Sequence, residues 1–75
     1  MKKPLPRMKP APPLFHVGDR VRLLYAWRGV VGEVVEVWGN LGAHGERMYT
    51  VRMKLDDWNE MTSEFPEDSL EAVAP

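Results

Sequence analysis

The side chains that could do chemistry in this sequence are two histidines, a group of carboxylates and a few aromatic residues beside an arginine. Metal binding or acid–base catalysis needs such groups close together. His16 and His44 are separated by a whole predicted hairpin, one at a strand entrance and one in a glycine-rich loop, so we interpret both as solvated loop residues. Because the chain has no cysteine, it cannot form a thiolate metal site. The sequence therefore predicts no metal site and no cofactor.

Three carboxylates near the C-terminus have a structural interpretation. Glu67 and Asp68 follow Pro66, and Glu71 comes shortly after them. Acidic side chains at the start of a helical turn complement its free backbone N–H groups. We therefore favour capping over catalysis for these residues, and we predict that the chain has no catalytic residues and is not itself an enzyme.

The most concentrated candidates for binding a partner are Tyr25, Trp27 and Arg28 in one short predicted loop. Aromatic rings and arginine are the side chains that binding hot spots favour. The alternative for Trp27 is that its ring folds back and covers the barrel interior. Trp58, in an acidic connector, has the same two interpretations, a plug of the open end or an exposed anchor. These four residues are the predicted partner-binding candidates, and another protein is the predicted partner.

A second set of candidates is basic. Arg22, Arg52 and Lys54 fall on the predicted outward faces of strands that could be neighbours, where they would form a modest positive patch for nucleic acid. The default interpretation of such residues is a solvated face. The net charge is −1, and residues 55–75 carry seven acids and no base, unlike the basic surface of strong nucleic-acid binders. Nucleic-acid binding is therefore the alternative to a protein partner.

The first 14 residues differ in composition from the rest of the chain. They contain five of the seven prolines and four basic residues but no acid. Proline removes a backbone donor and favours extended geometry. We predict a disordered proline-rich leader over residues 1–14 and one domain over residues 15–74. Pro10 to Pro13 form a P-x-x-P pattern, for which a linker role is favoured over recognition by an aromatic groove.

Membrane and export signals are not apparent in the sequence. No apolar run approaches the roughly 20 residues of a membrane-spanning helix, and prolines interrupt the N-terminal segment where a signal peptide needs a continuous apolar run. The absence of cysteine fits a reducing compartment. We predict a soluble cytoplasmic protein with no membrane partner. Self-association through the oppositely charged leader and tail remains an alternative, and the oligomeric state is left open.

From Phe15 onward, β-branched residues punctuated by glycine predict strands and turns rather than helices. The predicted strands cover residues 20–25, 30–38, 49–55, 61–65 and 71–73, with a 3-10 turn over residues 66–70. Five short strands with one helical turn before the last are typical of an SH3-like barrel. The sequence thus predicts an all-β, five-stranded SH3-like barrel.

Alternation of side chains along the predicted strands indicates which residues point inward. The predicted inward set of the third strand is Tyr49, Val51, Met53 and Leu55. In the first strand it is Val21 and Leu23. The second strand does not alternate cleanly, so a bend or bulge is expected near Val35 and Glu36 or at Gly32.

Four segments in this order resemble one superfamily: residues 15–22, 28–37, 49–52 and 66–71. They are similar to the SH3-like barrel of the nitrile hydratase β subunit, its C-terminal domain, and of accessory subunits of photosystem I and ferredoxin–thioredoxin reductase. The resemblance spans about residues 15–74. It implies an accessory role, since these barrels dock onto a larger partner that holds the metal or cofactor.

The sequence departs from this family at two places. The long, arginine-bearing loop that supports the metal site of the nitrile hydratase α subunit is reduced here to Tyr25-Ala26-Trp27, and no helical N-terminal domain precedes the barrel in these 75 residues. Arg28 matches the family's Arg-Gly position, but a catalytic-support role is not carried over to it. A free-standing homologue is favoured, and a small subunit of a metal-dependent hydratase complex is a further alternative.

The second stretch also resembles the KOW pattern of ribosomal and transcription-factor barrels. Gly29, Gly32 and Val34 fit its Gly-x-x-Gly-x-Val turn. This resemblance implies binding to RNA or polymerase. Many SH3-like barrels share the pattern, however, because the turn geometry itself demands the glycines.

Overall fold

The computed structural model describes residues 12–42 and 44–74. These residues form one antiparallel sheet of five strands in the order β4-β3-β2-β1-β5. The strands are β1 Arg20–Leu23, β2 Val31–Val37, β3 Met48–Lys54, β4 Glu60–Pro66 and β5 Leu70–Ala72, and a 3-10 turn, Glu67–Ser69, precedes β5. The predicted all-β SH3-like barrel is confirmed. The predicted disordered leader falls mostly on residues 1–11, which lie outside the described residues.

The 3-10 turn brings the two edges of the sheet towards each other. It follows β4 and leads into β5, which pairs with β1 through Leu23 and Leu70. Its last residue, Ser69, accepts a hydrogen bond at 3.0 Å from the backbone N–H of Leu24, just after β1. The sheet therefore curls so that the end of β4 approaches the loop after β1.

The interior is lined by the alternating residues that the sequence predicts. Val21 and Leu23 of β1 are buried, and Tyr49, Val51 and Met53 of β3 are fully buried. Burying a large apolar side chain stabilises the folded state by about 1.5–3 kcal/mol. These strands thus supply most of a core that has no disulfide to support it.

The prediction that Leu55 points inward is wrong. β3 ends at Lys54, and the backbone N–H of Leu55 donates to the carbonyl of Asn59 at 2.8 Å in the turn that follows. The side chain of Leu55 is 48% exposed. Alternation places a side chain inside only while a neighbouring strand covers it, and Leu55 lies past the last paired residue of β3.

The expected irregularity of β2 lies between Val34 and Glu36. Val34 pairs with Val51 while Glu36 pairs with Thr50, so one extra residue, Val35, is inserted in β2. Such a bulge bends a strand and resets which side chains face inward. It explains why Val34 is fully buried although the pattern after it does not continue the alternation.

Gly32 lets β2 and β3 approach each other closely inside the barrel. A Cβ at this position would lie 2.5 Å from Cγ1 of Val51 and 2.8 Å from the carbonyl oxygen of Arg52. Only glycine fits such a contact without displacing the backbone. The second glycine of the Gly-x-x-Gly pattern is therefore required by packing.

The chain enters the barrel through contacts with Tyr49. Phe15 is buried, and its ring meets that of Tyr49 edge-on, with centroids 5.3 Å apart. The Tyr49 hydroxyl accepts the backbone N–H of Leu14 at 3.2 Å and that of Phe15 at 3.4 Å, and it donates to the carboxylate of Glu67. Burial and the hydrogen bond to Glu67 raise the pKa of Tyr49. One buried hydroxyl thus joins the entering segment, β3 and the 3-10 turn.

Candidate partner-binding surface

The strand register brings two loops to one end of the sheet. Gly32 pairs with Met53, so the start of β2 lies beside the end of β3. The β1–β2 loop, residues 24–30, leads into β2, and the β3–β4 turn, residues 55–59, follows β3. The two loops therefore leave the sheet at the same end, with Tyr25, Trp27 and Arg28 on the first loop and Trp58 on the second. The ring of Trp27 reaches back to Phe65, at the far end of β4 from the turn that carries Trp58.

Trp27 occupies a backbone conformation that is unusual for its residue type. Its φ is 50°, in the left-handed region, which costs about 1–2 kcal/mol for a residue with a Cβ. Its ring packs edge-on against that of Phe65 with centroids 6.4 Å apart, yet the residue is 45% exposed. The two interpretations of Trp27 each describe part of the residue, because one portion covers Phe65 and the rest faces solvent.

The β1–β2 loop around Trp27 is tightly closed by backbone hydrogen bonds. The N–H of Gly29 donates to the carbonyl of Leu23 at 2.8 Å, and the N–H of Val30 donates to the carbonyl of Trp27 at 3.0 Å. Gly29 has a φ of 90°, which glycine adopts without strain. The loop therefore presents its exposed side chains, including Tyr25, from a defined backbone.

Trp58 does not plug the barrel, since 93% of the residue is exposed. The carboxylate of Asp56 holds the turn in shape by accepting the backbone N–H groups of Trp58 at 2.8 Å and Asn59 at 2.9 Å. It also accepts the side-chain amide of Asn59 at 2.8 Å. That amide and then the N–H of Trp58 lower the pKa of Asp56. The ring is thus displayed from an ordered turn.

Most of the exposed apolar side chains belong to these two loops and to the start of β2. Eight large hydrophobic residues are exposed in the described part of the chain, and five of them belong to the two loops or the strand residue beside them. We call this set the aromatic end: Tyr25, Trp27, Val31, Leu55 and Trp58. The other three lie in the entering segment and the β2–β3 loop: Leu14, Val17 and Leu41.

Two members of the aromatic end were not among the sequence candidates. Val31 opens β2 on the outer face, and Leu55 was assigned to the interior. Residue type alone gave no signal for either, because valine and leucine in a strand pattern indicate core. Their exposure follows from where the strands begin and end.

The basic candidates lie on the outer face, and the two arginines are each paired with a carboxylate. Arg22 contacts Glu71 of β5 at 3.1 Å, and Arg52 contacts Glu33 of β2 at 2.6 Å. Lys54 is exposed and stands opposite Glu60 in the register of β3 and β4. The outer face therefore carries both signs of charge in neighbouring positions.

A shallow groove of about 370 Å³ runs over this outer face and adjoins the aromatic end. Val31 and Glu60 line the end nearest to the aromatic residues, and Arg20 and Arg52 line the end farther along the strands. Its lining is mostly charged and mixed in sign. Such a groove suits an extended polar segment better than an apolar ligand.

The two histidines stay apart from this surface. His16 lies 3.8 Å from the carboxylate of Asp19 near the start of β1, and His44 is in the β2–β3 loop. Over residues 12–42 and 44–74, no group of three or more histidine, cysteine or acidic residues is arranged to hold a metal ion.

No protein-family model matches the chain, and no curated protein matches it either. Within the described residues there is no helix long and apolar enough to cross a membrane. The surface geometry and the sequence resemblance are therefore the two foundations for a functional proposal.

Proposed function

We propose that this chain is a non-enzymatic accessory module that binds another protein through the aromatic end. The observation that carries the proposal is that five of the eight exposed large hydrophobic residues in the described part of the chain, two of them tryptophans, belong to the β1–β2 loop, the β3–β4 turn and the start of β2. Contiguous apolar surface on a small domain marks interaction sites. Tryptophan, tyrosine and arginine are also the side chains that contribute most to binding energy.

The backbone around the aromatic end supports the same proposal. The hydrogen bonds of Asp56 fix the turn that carries Trp58, and the left-handed conformation of Trp27 is held by a closed loop. A preorganised surface loses less conformational entropy when it binds. Backbone strain that persists in a folded protein is concentrated at functional positions.

The sequence resemblance supports an accessory role of the kind found in the barrels of the nitrile hydratase β subunit and the electron-transport accessory proteins. A docking function also suits the described residues, among which no group of three or more histidine, cysteine or acidic side chains is arranged to hold a metal ion. A subunit of a metal-dependent hydratase complex is a narrower form of this proposal and requires a cysteine-rich partner. We place the protein in the cytoplasm, in keeping with its lack of cysteine.

Nucleic-acid binding ranks second. It would use Arg22, Arg52 and Lys54, and phosphate contacts need positive charge that is not already neutralised. Arg22 and Arg52 are each paired with a carboxylate in the structure. A titration with DNA or RNA at low salt that shows strong, salt-sensitive binding would reverse this ranking.

The proposal is tested by a pull-down with the double variant Trp27→Ala, Arg28→Ala, compared with the unaltered chain and with Leu41→Ala. Leu41 is 69% exposed but lies in the β2–β3 loop, so it is a matched exposed hydrophobic away from the aromatic end. We expect the double variant to remain folded and to recover at least about tenfold less partner than the unaltered chain. Leu41→Ala should recover the same amount as the unaltered chain. Retention of the partner by a folded double variant would refute the proposed site.

A further inference from the structure

The two loops of the aromatic end differ in charge. Asp56 and Asp57 stand immediately before Trp58, Glu60 opens β4 two residues after it, and the turn from residue 55 to residue 59 contains no base. The β1–β2 loop instead carries Arg28 and no acid. A partner that covers both loops therefore meets an aromatic ring among carboxylates on one side and a guanidinium on the other.

Trp58 and its neighbours form a favourable environment for a cation. The face of an indole ring attracts ammonium and guanidinium groups. Trp58 is 93% exposed, and its backbone N–H donates to the carboxylate of Asp56, which holds the turn in shape. Exposed acid–base pairs add about 0.2–1 kcal/mol each and speed association by steering.

The adjoining groove extends this surface along the strands. Glu60 lines the groove at the end nearest to Trp58, so a basic side chain at the turn would lie at the mouth of the groove. The farther end is lined by Arg20 and by Arg52, which is paired with Glu33, and Lys54 lies opposite Glu60 at the near end. An extended segment would therefore meet charges of both signs along the groove.

We propose that the aromatic end binds an extended segment of another protein whose lysine or arginine side chains lie on Trp58 and between Asp57 and Glu60. This inference rests on the proposed function and adds the chemistry of the partner. The exposed ring, the acids that flank it and the groove that continues from it together define the binding site.

The test is an NMR titration of the full chain with two synthetic peptides. One alternates proline and lysine, and the other has glutamate in place of lysine. We expect the lysine peptide to shift the amide resonances of residues 55–60 and to bind more weakly as salt rises. Trp58→Ala and the pair Asp57→Asn, Glu60→Gln should each weaken its binding about two- to fivefold, while Leu41→Ala should not change it.

Three outcomes would overturn the proposal. The glutamate peptide could bind as tightly as the lysine peptide, the shifts could fall outside the aromatic end and its groove, or the Trp58 and acid variants could bind without loss. A further control tests whether the chain's own N-terminal segment occupies the site. It changes four basic residues to glutamine: Lys2, Lys3, Arg7 and Lys9. If that change moves the resonances of residues 55–60 before any peptide is added, the occupant is the chain's own basic segment and not another protein.

The two proposals fail in distinguishable ways. The Trp27→Ala, Arg28→Ala variant could lose its partner while the lysine peptide fails to bind. That result would support protein binding through the β1–β2 loop and would refute the recognition of a basic segment at Trp58. Conversely, the lysine peptide could bind at Trp58 while the double variant still recovers the partner in the pull-down. That result would support the site for basic side chains at Trp58 and would refute the role of the β1–β2 loop in binding the partner.

Discussion

The hydroxyl of Tyr49 on β3 donates a hydrogen bond to the carboxylate of Glu67 in the 3-10 turn. The same hydroxyl accepts the backbone N–H of Leu14, so one buried oxygen connects three parts of the chain that are distant in sequence. The carboxylate of Glu67 lies 3.9 Å from Nε of Arg47, which precedes β3. This cluster fixes the 3-10 turn and the entering segment against the sheet.

Tyr49→Phe should therefore destabilise the domain. The ring would still fill its place in the core, but Glu67 would lose its hydroxyl donor and the N–H of Phe15 would lose its acceptor, while the N–H of Leu14 would keep only its 3.4 Å contact with Glu67. We expect the free energy of unfolding to fall by about 1–3 kcal/mol in urea denaturation. Tyr25→Phe is the control, because Tyr25 is 71% exposed and its replacement should change stability very little. Equal effects of the two substitutions would contradict the role given to Tyr49.

The same contact predicts a loss of stability at alkaline pH. Burial, followed by the hydrogen bond to Glu67, raises the pKa of Tyr49 above its ordinary value of 10.0. Above about pH 10 the unfolded chain releases this proton while the folded chain retains it, so the free energy of unfolding falls as pH rises through the raised pKa. Below pH 10 the contribution is fully present.

Urea denaturation between pH 9 and pH 12 measures this alkaline decline, where the pH range is chosen to bracket the ordinary tyrosine pKa at roughly 10. In Tyr49→Phe the decline should be shallower than in the unaltered chain, and in Tyr25→Phe it should be unchanged. A Tyr49→Phe variant with the full alkaline decline would show that another group causes it.

Gly32→Ala should destabilise the barrel by introducing a Cβ into the contact between β2 and β3. The added atom would lie 2.8 Å from a backbone carbonyl oxygen, which cannot move aside as a flexible side chain would. Overpacking of this kind costs about 1–3 kcal/mol, measured by thermal or urea unfolding. Gly39→Ala is the matched control, since a Cβ at Gly39 would have nothing within 4 Å. Comparable losses in both variants would argue against close packing at Gly32.

Truncation to alanine should lower the stability of the domain strongly at Phe65 and hardly at all at Trp58. Phe65 is 7% exposed and supports the ring of Trp27, so Phe65→Ala should lower the free energy of unfolding by about 3–5 kcal/mol. Trp58→Ala should change it by less than about 0.5 kcal/mol, because the residue makes little contact with the core. A large loss of stability in Trp58→Ala would place its ring in the core and remove it from the binding surface.

Sequence periodicity predicted most of the fold because each strand is half buried. Val51 and Met53 alternate with exposed residues, and this pattern specifies both the strand and its inward face. The bulge at Val35 was also predictable, since no regular strand buries Val34 and also accommodates the residues after it. Leu55 could not be placed correctly, because its exposure depends on where the neighbouring strand ends.

The candidate site was predictable in residue type but not in arrangement. Tyr25, Trp27, Arg28 and Trp58 are conspicuous in the sequence, but the register of β2 and β3, which makes their two loops leave the sheet side by side, and the contact of Trp27 with Phe65 are visible only in the structure. The contact between Tyr49 and Glu67 joins residues 18 positions apart and has no periodic signal. Long-range contacts between side chains depend on the curvature of the whole sheet, which composition and spacing do not specify.

Site-specific photo-crosslinking tests the binding role of the aromatic end most directly. A photoreactive residue in place of Trp58 should capture the same partner that the pull-down identifies, and the additional change Trp27→Ala, Arg28→Ala should abolish that capture. The same photoreactive residue in place of Leu41, which is also exposed but lies in the β2–β3 loop, should capture none. Capture of that partner from position 41 and not from position 58 would contradict the account.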